Sequence, residues 1–93
     1  MILEIVSPEA SLFKGEVTSV SVPGVDGSFQ ILNNHAPIVS ILQKGTVSIV
    51  AQSFNLNKEA DTLFVKQNEQ NYSISINLGT LEMKDNKVIV LID

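Results

Sequence analysis

Val22-Pro23-Gly24-Val25-Asp26-Gly27-Ser28-Phe29-Gln30-Ile31-Leu32-Asn33-Asn34-His35-Ala36-Pro37 is the stretch whose reading decides the fold. Pro23-Gly24 and Asp26-Gly27 are two turn signals in quick succession. Ser28 to Leu32 follows as a short strand with Phe29 and Ile31 on one face. Asn33-Asn34 then supports a turn, because asparagine tolerates positive φ. Pro37 pushes Ala36 into extended backbone. Turn, strand and turn at this pace leave no room for a helix. The stretch also holds the only histidine and two of the three prolines.

The flanks continue the same rhythm. Ile2 to Val6 is a short apolar strand, broken by Pro8, which cannot donate to a ladder. Leu12-Phe13-Lys14-Gly15 reads as an apolar anchor followed by a bend, and Glu16 to Val22 as a strand with imperfect alternation. Ile38 to Leu42 is apolar on both faces apart from Ser40, the pattern of a buried strand. Thr46 to Gln52 puts Val47, Ile49 and Ala51 on one face. Between Ser53 and Ala60 the pattern weakens: Phe54 and Leu56 alternate with polar residues, and Asn57-Lys58-Glu59 reads as a loop tip. Asp61 to Lys66 is a strand, and Asn68 to Asn71 a turn.

Tyr72 to Leu78 alternates cleanly, with Tyr72, Ile74, Ile76 and Leu78 inward and Ser73, Ser75 and Asn77 outward. Leu81 and Met83 oppose Glu82 and Lys84, Asp85-Asn86 is a two-residue hairpin turn, and Lys87 to Ile92 reads as a strand covered on both sides. About ten short strands with turns about every 8–12 residues predict an all-β sandwich or barrel. No segment carries a helical period.

Composition narrows the function. Ninety-three residues make one domain, 1–93, and 44% apolar residues with only 5% aromatic ones give it an aliphatic core. Net charge is −4 and every basic residue is lysine. Without arginine's planar fork, an acidic chain is a poor candidate for nucleic acid or nucleotide phosphate. There are no cysteines, which excludes disulfides and thiolate metal sites. No basic-then-apolar leader opens the chain, and no stretch approaches the ~20 apolar residues of a membrane span.

Catalytic chemistry finds little support. His35 with Asp26 and Ser28 or Ser40 can be imagined as a triad, but triads are recognised by geometry, and no Gly-x-Ser-x-Gly elbow is present. A turn histidine bonded to nearby backbone, or one in an interface, suits the context better. One histidine and scattered carboxylates make no metal-ligand spacing. Gly24-Val25-Asp26-Gly27 lacks the Lys-Ser/Thr and helix of a phosphate loop. The residues by themselves describe a small acidic β module, with its glycine-rich turns as the contact surface.

Gly27 to Pro37, with its His35-Ala36-Pro37 ending, resembles the N-terminal β-sandwich domain of the epsilon subunit of F-type ATP synthase. Leu3 to Glu9, Leu42 to Val47 and the hairpin from Gly79-Thr80-Leu81-Glu82-Met83 through Val88-Ile89-Val90-Leu91 agree with that family in order. Departures are Gln30 and Leu78 where the family has glycine, Asn33 where it has proline, Ser28 where it often has an acidic residue, and added length between Ser53 and Asn71. The family's C-terminal helical hairpin, which carries inhibition and, in some members, ATP binding, has no counterpart in this sequence.

The resemblance implies a flattened sandwich of two five-stranded sheets in a non-catalytic rotor subunit with no cofactor and no metal. It implies two partners. The gamma subunit would be met near Ser7, His35, Ala36 and Pro37, and the polar loops of the c-ring near Asp26, Gly27, Ser28 and Phe29. The subunit would sit peripherally on the cytoplasmic face of the bacterial inner membrane, without inserting, and couple proton-driven rotation to ATP synthesis. The alternative is a β-sandwich interaction or ligand-binding module unrelated to the synthase.

Overall fold

Short alternating segments joined by tight turns can satisfy their backbone groups only by pairing with one another, and they do so in two layers. The computed structural model describes residues 1–53, 56 and 58–93. Among them the strands are β1 (Ile2–Val6), β2 (Ser11–Glu16), β3 (Ser19–Gly24), β4 (Gly27–Leu32), β5 (Ile38–Leu42), β6 (Gly45–Val50), β7 (Phe64–Lys66), β8 (Asn71–Ile76), β9 (Gly79–Lys84) and β10 (Lys87–Ile92). A four-residue helical turn, α1 (Lys58–Asp61), precedes β7. Strand neighbours run β2-β1-β10-β9-β5 in the first sheet and β4-β3-β6-β8-β7 in the second. Only β1 with β10 is parallel.

The two five-stranded sheets are continuous at one corner. β3 pairs with β6 over Ser19–Ser21, then leaves it and meets β5 at Gly24↔Leu42. Pro23 sits at this crossing, where its missing N–H costs no ladder bond, and its carbonyl accepts from Gln43 N–H at 2.8 Å. Close approach here depends on glycine: a Cβ on Gly45 would lie 2.7 Å from Pro23 Cβ, and one on Gly24 would lie 2.8 Å from the Gly27 carbonyl oxygen. Pro23-Gly24 is therefore strand, and only Val25-Asp26 turns. The expected double turn reduces to one.

Inward rows make the core. Leu3, Val88 and Met83 align across β1, β10 and β9, as do Ile5, Val90 and Leu81. Facing them, Val47, Ile74 and Phe64 align across β6, β8 and β7. All are buried in one cluster. Phe13 on β2 and Phe64 on β7 close one flank, with ring centroids 6.5 Å apart and tilted by 56°.

Several local expectations change. Leu12 to Gly15 is part of a strand, not an anchor and bend. A register shift between Ile5 and Val6 lets consecutive Leu12 and Phe13 both turn inward, which hides the period-2 pattern. Asp61 closes α1, so β7 starts at Phe64, and a single helical turn is too short to show a period. Leu78 falls in the bend after β8 and is exposed, whereas Ser73, read as outward, is buried. The readings of Phe54 and Asn57 lie outside the described residues.

Candidate interaction surface

The outer face of the first sheet carries several exposed apolar side chains among polar ones. Outward residues of β1, β10, β9 and β5 align as Val6–Leu91–Thr80–Ile41 and, one step along, Glu4–Ile89–Glu82–Val39. Val39 is 77% exposed, Ile41 58% and Leu91 51%, and Leu78 beside them is 52% exposed. Ile41, Leu78, Thr80 and Leu91 line a shallow groove. Two expectations are corrected here. Ile38 to Leu42 and Lys87 to Ile92 both read as strands covered on two sides, yet each is covered on one. Sequence sees only that both faces are apolar; it does not see whether this chain or another supplies the cover.

Two loop clusters bound this sheet at opposite ends. At one end, His35, Ala36 and Pro37 join β4 to β5, all three exposed. His35 N–H donates to the Leu32 carbonyl at 3.2 Å, and the ring Nδ1 lies 2.7 Å from the Ala36 carbonyl oxygen. A carbonyl can only accept, so Nδ1 is the donor in this contact. At the other end, Val25-Asp26 turns β3 into β4. Asp26, Gly27 and Ser28 are exposed, while Phe29 packs partly against the core. Gly27 has φ of 123°, a backbone that glycine adopts readily. Val25 N–H donates to the Ile41 carbonyl at 3.1 Å, tying this turn to the apolar row.

Among the described residues, Asp26, Ser28, Ser40 and His35 are not brought together as a triad. The six residues of β4 and the Asn33-Asn34 turn separate Asp26 from His35, with the strand alone spanning about 20 Å. Ser40 Oγ donates to the Ile41 carbonyl at 3.3 Å. Among the described residues no group of three or more His, Asp or Glu side chains could hold a metal ion. The described residues include no helix long and apolar enough to cross a membrane.

Comparison with known proteins fits this frame. A family model described as "ATP synthase, Delta/Epsilon chain, beta-sandwich domain" matches residues 1–93. The chain belongs to the ATP synthase delta/epsilon β-sandwich family. An ATP synthase epsilon chain from Leptospira borgpetersenii is 38% identical over 91 residues, covering 98% of this chain and 59% of the relative. One from Chlorobium limicola is 37% identical over 89 residues, covering 96% of this chain and 84% of the relative. The chain thus spans somewhat over half the length of its Leptospira relative. Among solved structures, a chain in the Euglena gracilis mitochondrial ATP synthase matches with a TM-score of 0.76 at 16% identity, covering 99% of this chain and 49% of that one. A chain in the Tetrahymena thermophila mitochondrial ATP synthase, central stalk and c-ring, matches with 0.68 at 15%, covering 99% and 62%. At such identities these two show the fold alone.

Within the delta/epsilon sandwich, the residues expected to contact partners divide differently from their grouping by resemblance. His35, Ala36 and Pro37 stay together. Ser7 does not join them: it follows Val6 at the Leu91 end of the sheet, the end shared with the Asp26–Phe29 turn. There Ser7 Oγ donates to the Ala10 carbonyl at 3.3 Å and to Glu9 Oε2 at 3.5 Å. The apolar row lies between the two ends. Sequence reasoning missed it, although the signal was present in strands apolar on both faces.

Proposed function

We propose that the chain is a non-catalytic central-stalk component of an F-type ATP synthase, packed on the gamma subunit and seated on the polar loops of the c-ring. One observation carries this reading: the outer face of the first sheet and the bend beside it leave Val39, Ile41, Leu78 and Leu91 open to water. A contiguous apolar patch of this kind marks a surface that a partner covers. Family membership and relatives named ATP synthase epsilon chain support the choice of this complex.

On this reading gamma covers the apolar row and reaches the His35-Ala36-Pro37 loop. The turn at Asp26, Gly27, Ser28 and Phe29, at the far end of the sheet, meets the c-ring, and Ser7 stands near that end. The work is mechanical. A packed sandwich deforms little, so it transmits ring rotation to the catalytic head through contact alone. Placement is peripheral, on the cytoplasmic face of the bacterial inner membrane, with proton flow as the drive.

Size-exclusion chromatography of the chain mixed with its cognate gamma subunit tests this. A stable one-to-one complex is expected. Separate elution with a folded gamma refutes the stalk reading and leaves the sandwich alone.

A further inference from the structure

The His35-Ala36-Pro37 loop belongs to no strand, and its own backbone does little to hold it. What holds it comes from the neighbouring β9–β10 turn, at the same end of the first sheet. Asn34, at φ 63°, donates its backbone N–H to Asn86 Oδ1 at 2.7 Å, a residue 52 positions away. The same Asn86 side chain donates Nδ2–H to Asn33 Oδ1 at 2.9 Å. One amide therefore grips both residues of the turn that launches the loop. Its orientation is determined, because a backbone N–H can only donate and so requires the oxygen.

Asn86 is itself well anchored. It sits at φ 60° beside Asp85 at φ 52°, the two left-handed residues of the β9–β10 turn. Its carbonyl accepts from Ile2 N–H at 3.1 Å, which ties the turn to β1. Asn33 Oδ1 also accepts from the Met1 ammonium at 3.0 Å. The tip of the hairpin at the middle of the first sheet thus clasps the loop at its edge. Nothing in the turn chemistry of Asp85-Asn86 requires this: a glycine would satisfy the same φ and offer no clasp.

We propose that Asn86 is a positioning residue, whose side chain holds the Asn33-Asn34 turn and so presents His35, Ala36 and Pro37 in one conformation to the partner. The partner half rests on the reading of that loop as a gamma contact. The clasp half rests on hydrogen bonds alone.

The test compares the whole chain with Asn86→Gly and Asn86→Asp. Glycine keeps the turn and removes the clasp. Aspartate keeps the acceptor for Asn34 N–H and loses the donor to Asn33. Amide hydrogen exchange at Asn34 and affinity for gamma are both measured, with a thermal melt as the control for folding. In Asn86→Gly, Asn34 should exchange about 2- to 12-fold faster, the range for one lost hydrogen bond, with core amides such as Val90 unchanged. Affinity for gamma should fall roughly tenfold, and Asn86→Asp should recover part of both effects. Unchanged exchange at Asn34 overturns the clasp. Faster exchange with undiminished affinity overturns the positioning role. If gamma does not bind the parent chain, the contact reading fails and takes the positioning role with it, while the exchange data still decide the clasp.

Discussion

Replacing Val39 and Ile41 together by serine should separate folding from docking. Both side chains point out of the first sheet and are 77% and 58% exposed. Fully burying a Val or Ile side chain contributes about 1.5–3 kcal/mol. Scaled by the fractions still open, covering both on docking contributes about 2–4 kcal/mol, or about 30- to 900-fold in affinity. The isolated domain loses little, because exposed substitutions usually stay within about 0.5 kcal/mol each. The melting temperature should therefore drop by no more than about 4–8 °C, the shift that roughly 1 kcal/mol gives in a domain of this size. Calorimetric titration of the double variant into gamma reads the affinity. Val65→Ser is the matched control: Val65 is 61% exposed but lies on β7 in the second sheet, and its loss should leave affinity unchanged. A double variant that melts normally and binds gamma within threefold of the parent refutes the claim that this face is the covered one.

Other outcomes follow from the same structure. Leu81→Ala empties a buried site between Val90 and Ser40, at about 2–5 kcal/mol, and should lower the urea midpoint markedly without altering the apolar face. A chain truncated before Val88 loses the strand between β1 and β9 and with it the middle residue of both inward rows of the first sheet, so its thermal melt should no longer be cooperative; a sharp transition would contradict the topology. Lys66 Nζ donates to Glu69 Oε1 at 3.2 Å, and this hydrogen bond, followed by attraction to the carboxylate and to Tyr72, raises the ammonium above its ordinary 10.5. A raised lysine stabilises the fold below its unfolded pKa and loses that effect as pH climbs through the folded one. The pair is exposed, so any advantage of the parent over Lys66→Met should be small, present from pH 6 to 9, and gone once the pH climbs into the alkaline range; a difference that grows in alkali would contradict the linkage.

Much of the architecture was legible because short-range rules govern it. Asn33-Asn34 and Asp85-Asn86 turn where their left-handed preference allows, and Asn34, Asp85 and Asn86 all take positive φ. Val47, Ile49 and Ala51 share a buried face because period 2 is a property of the pleat itself. The misreadings share a different cause. Pro23-Gly24 looks like a turn, but a strand that changes partners at that point has no use for the proline N–H. Leu12-Phe13 breaks the alternation because a bulge, invisible without the partner strand, sends both inward.

The contact surface was harder to see. His35, Ala36 and Pro37 stand together because they are adjacent in the chain. Ser7 parts from them because β1 runs the length of the sheet before reaching it. Asn86 grips Asn34 across 52 residues, which no local pattern records.

The sequence by itself determined an all-β chain, its turn positions and most of its inward residues, since backbone preference and side-chain alternation act between near neighbours. Only the tertiary structure decided which apolar faces are covered. Ile38–Leu42 and Lys87–Ile92 are written as strands to be buried on both sides, and the sandwich buries one side of each. Solvent exclusion is a property of what packs against a strand, and here the second cover is left for another molecule to supply.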